Sequence, residues 1–320
     1  MYPMKLTPPC KDYLWGGSKL RTQFHKQSDK KIIAESWELS CHKDGPSVIA
    51  NGEYAGKTLQ EYINEAGKEA LGAHGAAFDE FPVLIKLIDA RDNLSVQVHP
   101  DNDYALKAEG EYGKTEMWYI VDCDEGASLI YGFDHEITKE EFKARIENNT
   151  LLEAVNTVPV KKGDVFFISA GTLHAIGKGI VIAEIQQNSN TTYRVYDFGR
   201  VGADGKPRAL HIDKALDVTK LTRPERGAEP QGGREQHNGY ASTLLSSCEY
   251  FTVSRLEVQD AATLTAGGES FHALLCLEGG AALSSLHGDI ELQKGDCVFL
   301  PANFGEYRVK GACELLLTTV

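Results

Sequence analysis

The chain has 320 residues, which is enough for one large domain or two ordinary ones. Apolar residues make up 42% and charged residues 25%, and this ordinary composition excludes disorder over most of the length. The formal net charge of −13 argues against a general binder of nucleic acid or of anionic membranes, although a pocket inside an acidic protein can still be locally basic.

The cysteines and the apolar segments indicate the compartment. The seven cysteines are odd in number and form no C-x-x-C pair, which is typical of reduced thiols in a cytoplasmic protein. The first residues lack an apolar stretch of signal-peptide length, and no apolar run approaches the roughly 18 residues of a membrane span. We therefore expect a cytoplasmic protein without a membrane, nucleic-acid or obligate protein partner.

Short apolar runs rich in β-branched and aromatic residues predict strands. The clearest cover residues 81–90, 93–100, 116–122, 164–170 and 179–186. Because such runs outnumber the helix signals and do not alternate with them regularly, they favour an antiparallel β-sandwich or barrel over a doubly wound sheet.

Helix signals are few. Residues 58–71 place apolar side chains on one face, which predicts a helix. Residues 138–149 begin with Thr138 and Glu141, which fit a capping box. Residues 211–218 predict a short third helix.

Residues 222–239 break this pattern, because Ala228 is their only apolar side chain. Such a segment is typical of a linker or an exposed loop. We therefore predict a first domain over residues 1–222, a linker over residues 223–239 and a C-terminal domain over residues 240–320.

A weak internal repeat relates the two predicted domains. KKGDVFFISAGTLHAI at residues 161–176 corresponds to QKGDCVFLPANFGEYRV at residues 293–309. EMWYIVDCDEG at residues 116–126 corresponds to HALLCLEGG at residues 272–280. In this alignment His272 stands opposite Glu116, and Glu306 stands opposite His174. Two matched segments in the same order favour a duplication.

Polar side chains alternate with aliphatic ones in LSVQVHPD, residues 94–101. Strand geometry puts Ser95, Gln97 and His99 on one face, which would look into the lumen of a barrel. The alternative is a polar edge that faces solvent. The second copy of the repeat has no counterpart of Gln97 and His99, so we expect a structural barrel without its own metal site.

Two further side chains could complete a set of metal ligands. Glu116 opens an apolar strand and His174 follows a glycine turn, although each alone could be an ordinary surface or core residue. With Gln97 and His99 they offer nitrogen and oxygen donors from separate strands. Two imidazoles and a carboxylate suit a catalytic Zn²⁺ site, and Fe²⁺, Mn²⁺ or Co²⁺ could also bind such a set.

Basic residues near these donors suggest an anionic ligand. Lys86 lies inside an apolar strand, where it could be an edge residue that blocks strand pairing or could point into a polar lumen. Lys114 shares a strand face with Glu116. The amide-rich run over residues 186–192, which precedes Arg194, is typical of a solvated loop, but its donors would also suit a sugar phosphate.

The most distinctive motifs are AESWELS, LSVQVHPD, GKTEMWY and GTLHAIGKGIVIAEIQQNSNTTYRVYD. They resemble type I mannose-6-phosphate isomerases of the short bacterial form, from about Trp15 to the C-terminus and most specifically over residues 93–200. The resemblance implies a mainly β fold of two cupin-type jelly-roll barrels with a few short helices, and one Zn²⁺ per chain. It also implies that the chain interconverts D-mannose 6-phosphate and D-fructose 6-phosphate through an enediol.

The resemblance implies roles for individual residues as well. The family's zinc ligands match His99, Glu116 and His174. A fourth ligand of longer members matches Gln97, and in short members water is the alternative to it. The active-site arginine matches Arg194, and positions that line the substrate pocket match Lys86, Lys114 and Glu184. The group that transfers the proton stays open between Glu184, Lys114 and a water on the metal.

Two other functions compete with the isomerase. A cupin oxidoreductase that uses Fe²⁺ and O₂ would have two closely spaced histidines, but Gln97 stands at the first of those positions. A sugar-phosphate sensor or an inactive relative is disfavoured because the ligands, both lysines and Arg194 are all present. We therefore expect a zinc-dependent aldose–ketose isomerase with a sugar phosphate as its partner.

Overall fold

The computed structural model describes residues 1–202 and 205–320. Over these residues the protein is mainly β with a few short helices, as predicted. The helices are α1 (Lys19–Thr22), α2 (Leu59–Ala66), α3 (Gly72–Ala76), α4 (Asn102–Ala108), α5 (Lys139–Glu147) and α6 (Ile212–Val218), with 3₁₀ turns at Lys68–Leu71 and Leu151–Glu153. The strands are β1 (Met4–Thr7), β2 (Cys10–Lys11), β3 (Glu35–Leu39), β4 (Val48–Ile49), β5 (Val83–Ala90), β6 (Val96–Val98), β7 (Glu116–Cys123), β8 (Ser128–Phe133), β9 (Val155–Pro159), β10 (Val165–Ile168), β11 (His174–Ala175), β12 (Ile180–Gln187), β13 (Tyr193–Tyr196), β14 (Arg234–Gln236), β15 (Tyr240–Ser247), β16 (Thr252–Val258), β17 (Ala261–Ala266), β18 (His272–Ser285), β19 (Ile290–Gln293), β20 (Cys297–Leu300), β21 (Gly305–Lys310) and β22 (Cys313–Thr319).

The strands form three antiparallel sheets, which confirms the preference for an antiparallel fold. A six-stranded sheet has the order β10-β7-β12-β5-β3-β2, and a five-stranded sheet has the order β13-β6-β11-β8-β9. An 11-stranded sheet has the main order β14-β15-β16-β22-β18-β20-β1-β4, with β17, β19 and β21 attached beside it. No helix among the described residues is long and apolar enough to cross a membrane.

The six-stranded sheet is covered on both faces. Alternate residues of β12 separate into two cores: Ile182 packs in a cluster with Tyr131 of the five-stranded sheet, and Ala183 packs in a cluster with Phe299 of the 11-stranded sheet. Every residue of β5 and β12 is buried, so these strands are mostly apolar without polar–apolar alternation, and Lys86 and Glu184 are among their few polar residues. The candidate site lies on the face that packs against the five-stranded sheet.

The helix predicted over residues 58–71 is divided at Gly67. α2 begins at a capping box in which Thr58 and Glu61 exchange hydrogen bonds. It ends at Ala66, because Gly67 takes φ +84°, a left-handed conformation that glycine accepts readily. The rest of the predicted segment forms the 3₁₀ turn at Lys68–Leu71, and α3 follows it.

The other two predicted helices are confirmed. In α5 the Thr138 side chain accepts the backbone N–H of Glu141 at 3.0 Å. The reciprocal half of the predicted capping box does not form, because the Glu141 carboxylate instead accepts from Nε of Arg145 at 2.8 Å. α6 spans Ile212–Val218, within the predicted segment.

The two K-G-D segments form the same turn. In the first copy Oδ2 of Asp164 accepts the backbone N–H of Lys161 at 2.9 Å. In the second, Oδ2 of Asp296 accepts the backbone N–H of Gln293 at 2.8 Å. The aspartate of each copy therefore closes the turn before a strand, β10 in the first and β20 in the second.

Strand register extends the correspondence between the two copies. Ile168 pairs with Glu116, and Leu300, its counterpart, pairs with His272. The predicted alignment of His272 with Glu116 is therefore confirmed in three dimensions. The surroundings of His272 differ, because its Nδ1 lies 2.8 Å from the hydroxyl of Tyr307.

Residues near the N-terminus pair within the C-terminal sheet. β1 lies between β4 and β20, with Met4 opposite Phe299. β14, inside the predicted linker, pairs with β15. The division into residues 1–222 and 240–320 stays a prediction, and it has to allow for these strands.

Candidate metal centre

The candidate ligands come from the two sheets that face each other. Glu116 begins β7 of the six-stranded sheet. His174 begins β11 of the five-stranded sheet, directly opposite Gln97 of β6, and His99 follows β6. The strand register therefore brings together the four predicted donors, although 77 residues separate Gln97 from His174.

Three of these donors converge closely. The possible ligand atoms of His99, Glu116 and His174 lie within 4.8 Å of one another, and all three side chains are buried. Nε2 of His99 is 3.2 Å from Oε1 of Glu116. Nε2 of His174 is 4.0 Å from Oε2 of the same carboxylate.

Backbone carbonyls hold the outer nitrogen of each imidazole. Nδ1 of His99 lies 2.8 Å from the carbonyl oxygen of Thr191, and Nδ1 of His174 lies 2.8 Å from that of Thr172. Because a carbonyl oxygen can only accept, each ring carries its proton on Nδ1 and turns an unprotonated Nε2 toward Glu116. This is the arrangement by which proteins orient histidine ligands of metals.

The protonation states agree with metal binding. Burial, with the charge of Lys114, lowers the pKa of His99 to about 3, and burial also lowers the pKa of His174. Burial alone would raise the pKa of Glu116, but the Lys114 ammonium holds it well below its ordinary value. Two neutral imidazoles and one ionised carboxylate fit a divalent ion such as Zn²⁺.

As oriented in the structure, the Gln97 side chain presents its amide nitrogen, and not its oxygen, to His174. Its amide nitrogen lies 3.4 Å from Nε2 of His174, and its amide oxygen accepts from the hydroxyl of Ser95 at 3.3 Å. The amide has to rotate before Gln97 can offer its oxygen to an ion that is also bound by His174.

A cavity of about 310 Å³ adjoins the cluster. Five of the eight predicted site residues line it: Lys86, Gln97, Lys114, Glu184 and Arg194. The structure therefore brings the predicted pocket residues and the three converging donors into one place.

Lys86 and Glu184 form an ion pair inside the six-stranded sheet. They lie opposite each other on β5 and β12, with Nζ of Lys86 3.2 Å from Oε1 of Glu184. Because β5 lies between β3 and β12, the alternative interpretation of Lys86 as an edge residue is wrong. Burial and the nearby charge of Glu116 raise the pKa of Glu184. Burial opposes the charge of Lys86, but Glu35 and Glu184 raise its pKa.

Arg194 lies on the five-stranded sheet, opposite Gln97. Its Nε donates to the hydroxyl of Ser95 at 3.2 Å, and Nη1 donates to the carbonyl of Ala209 at 3.1 Å. Burial and the nearby charge of Arg208 lower its pKa. The guanidinium is thus fixed at the wall of the cavity.

Sequence reasoning missed the tryptophan that connects the two acidic residues of the site. Nε1 of Trp118 lies 2.9 Å from Oε2 of Glu116 and 3.0 Å from Oε2 of Glu184. Trp118 shares a strand face with Glu116, so strand alternation could have found it. Glu35, in the motif AESWELS, lines the cavity as well and was also missed.

The amide-rich run is mostly buried, so its interpretation as a solvated loop is wrong. Gln186, Gln187, Asn188 and Ser189 are all buried, and the side chain of Gln186 donates to two backbone carbonyls of this run. Asn190 and Thr192, further along, line the cavity.

Fold and site together define a cupin-related β protein with a buried His–Glu–His cluster beside a charged pocket. Family models for the type I phosphomannose isomerase catalytic domain and for the mannose-6-phosphate isomerase cupin domain match residues 4–125 and 241–320. The chain belongs to the type I mannose-6-phosphate isomerase family and is an isomerase enzyme.

Individual relatives support this assignment over the full length. The chain is 39% identical to the probable mannose-6-phosphate isomerase GmuF of Bacillus subtilis, over 99% of each chain. It is 38% identical to the mannose-6-phosphate isomerase of Streptococcus mutans, over 98% of this chain and 97% of that one. A crystal structure of the Bacillus subtilis mannose 6-phosphate isomerase superposes with a TM-score of 0.92 at 37% identity and covers all of both chains. A mannose 6-phosphate isomerase bound with zinc and yttrium shares the fold, with a TM-score of 0.76 at 18% identity over 99% of each chain.

Proposed function

We propose that the protein interconverts D-mannose 6-phosphate and D-fructose 6-phosphate through an enediol, with one Zn²⁺ per chain. The observation that carries the proposal is the convergence of His99, Glu116 and His174 beside the charged cavity. Gln97 is the proposed fourth ligand after rotation of its amide. When bound, Zn²⁺ would act as a Lewis acid toward the sugar oxygens and spread their negative charge.

The basic residues of the cavity suit an anionic substrate. Arg194 keeps its charge and donates in a planar fork, so we assign it to stabilise negative charge near the reacting carbons. Glu184 and Glu116 lie beside Lys86 and Lys114, so the two lysines alone do not make the pocket positive. Together with Zn²⁺ and Arg194 they would make it locally positive and attract the phosphate or the anionic intermediate, although the whole chain carries −13.

Glu184 is our proposed proton-transfer group. It lines the cavity, and burial raises its pKa, so its carboxylate is a stronger base than an exposed one. The indole of Trp118 and the ammonium of Lys86 orient its two oxygens. The alternatives are Lys114, which also lines the cavity, and a water on the metal.

We propose that the three sheets build two jelly-roll barrels, because the two copies of the repeat share their turn and strand register. We also propose that the enzyme works in the cytoplasm on a sugar phosphate, without an obligate protein partner.

The reaction is tested by incubating the zinc-loaded protein with mannose 6-phosphate in D₂O. We expect fructose 6-phosphate to form and solvent deuterium to appear at C1 or C2, because an enediol route passes the proton through a base. Glucose 6-phosphate is the matched control. Absence of fructose 6-phosphate would refute the proposed activity, whereas product without any deuterium would refute exchange of the proton with solvent.

A further inference from the structure

The segment of residues 186–192 holds one of the candidate ligands by its backbone. The carbonyl oxygen of Thr191 accepts the Nδ1 proton of His99 at 2.8 Å. The position of this carbonyl therefore sets the tautomer and the ring orientation of His99, and hence the direction in which Nε2 points.

Two carboxylates contact this segment next to that carbonyl. Oε2 of Glu111 lies 3.4 Å from the backbone nitrogen of Asn190 and 3.5 Å from the hydroxyl oxygen of Thr191. Oδ2 of Asp44 accepts from the side-chain amide of Asn190 at 2.9 Å. Glu111 therefore contacts both Asn190 and Thr191, and Asp44 contacts Asn190, next to the carbonyl that holds His99.

Glu111 is kept ionised by a neighbouring cation. Nζ of Lys43 lies 2.6 Å from Oε1 of Glu111. Burial opposes the charge, but the Lys43 ammonium and the N–H of Asn190 lower the pKa of the carboxyl. Lys43 and Asp44 follow β3, whereas Glu111 follows α4, so two distant parts of the chain meet on one segment.

We propose that Glu111 and Asp44 are positioning residues of the metal centre, which clamp Asn190 and Thr191 so that Nε2 of His99 stays aimed at the ion. Neither residue lines the cavity of about 310 Å³, so each acts through the segment and not on the substrate. The inference rests on the proposed function only in taking His99 as a metal ligand. Loss of either carboxylate should therefore weaken retention of the metal.

The test measures the rate at which zinc passes from the loaded protein to a chromophoric chelator. Partners that orient metal ligands typically change metal affinity by roughly 10–100-fold, so we expect Glu111→Ala and Asp44→Ala to release zinc at least about tenfold faster. Glu111→Gln retains an oxygen acceptor and loses only the charge, so its rate should lie between those of the wild type and Glu111→Ala.

The matched control is Glu80→Ala. Glu80 is exposed and, with Glu111, lines a different cavity, of about 600 Å³. The described residues provide no hydrogen-bond donor to its carboxylate. We expect wild-type release from this variant. Unfolding of the metal-free variants is recorded in parallel, because a purely structural role would lower their stability without the graded release rates.

The outcomes separate this inference from the isomerase proposal. Equal release rates for Glu111→Ala and Glu80→Ala, in a protein that turns over mannose 6-phosphate, would overturn the clamp and leave the isomerase. If zinc release follows the expected order of Glu111→Ala, Glu111→Gln and wild type, but the protein does not turn over mannose 6-phosphate, the positioning role is supported and the isomerase proposal is overturned. A wild-type protein that binds no zinc would overturn both.

Discussion

Nζ of Lys114 lies 2.6 Å from Oε1 of Glu116, and both side chains are buried. A buried carboxylate without a partner is costly, so this ammonium balances the charge of Glu116 in the metal-free protein. A divalent ion bound to the same carboxylate would supply that balance instead.

The first prediction concerns this exchange of partners. Lys114→Met should lower the free energy of unfolding of the metal-free protein by about 3 kcal/mol or more, because it leaves a buried charge unpaired. Saturating zinc should recover most of this difference from the wild type, because the ion, which binds the folded state, would balance the charge of Glu116 in place of the missing ammonium. Denaturant unfolding with and without zinc measures both values.

The control for this prediction is Lys178→Met, which removes an exposed ammonium. Its free energy of unfolding should stay within about 0.5 kcal/mol of the wild-type value, both with and without zinc. An equal loss for Lys114→Met with and without zinc would contradict the idea that metal and lysine balance the same carboxylate.

The second prediction concerns Glu184. Glu184→Gln keeps the shape of the side chain and removes the base, so kcat should fall by roughly 10²–10⁴-fold. Bound zinc should stay near stoichiometric, because Glu184 lies outside the three converging donors. Steady-state kinetics and metal analysis of the same preparation check both points. Near-normal kcat would exclude Glu184 as the base and leave Lys114 and a water on the metal as the candidates.

The third prediction is the acid limb of the pH profile. Burial raises the pKa of Glu184, and a base must be ionised to accept a proton. Activity is therefore present above the raised pKa and is lost as pH falls through it. The acid limb of kcat/KM should lie above the pKa of about 4.3 of an ordinary glutamate. A limb at or below that value would contradict the assignment.

The fourth prediction separates charge stabilisation from metal binding. Arg194→Ala should abolish turnover while bound zinc stays near stoichiometric, because the guanidinium contacts Ser95 and Ala209 and not the three converging donors. Arg91→Ala, which changes an exposed arginine, should keep full activity. Loss of bound zinc from Arg194→Ala would refute the role proposed for Arg194.

Local patterns predicted the parts of the site that lie along single strands. Strand alternation placed Gln97 and His99 correctly, and the second segment of the internal repeat identified the relation of Glu116 to His272. Trp118 was equally accessible to this reasoning, because it stands two residues after Glu116. Such patterns succeed because side-chain direction in a strand depends only on the local backbone.

Features that depend on distant partners could not be predicted in this way. The pairing of Met4 with Phe299 joins opposite ends of the chain, and no local pattern specifies it. α4 was not predicted for a different reason. It is seven residues long, which is too short for a clear helical period, although Asp101 caps it. The burial of residues 186–189 also escaped prediction, because amide side chains suit a solvated loop and a hydrogen-bonded interior equally well.

The most direct test of the central claim is a zinc titration of chelator-stripped protein, followed by an assay of fructose 6-phosphate formation from mannose 6-phosphate. We predict that stripping abolishes turnover, that activity returns linearly and levels off at one zinc per chain, and that His174→Ala recovers neither metal nor activity. The exposed-histidine variant His135→Ala should titrate like the wild type. Full turnover by stripped protein, or none by the zinc-loaded wild type, would contradict the account.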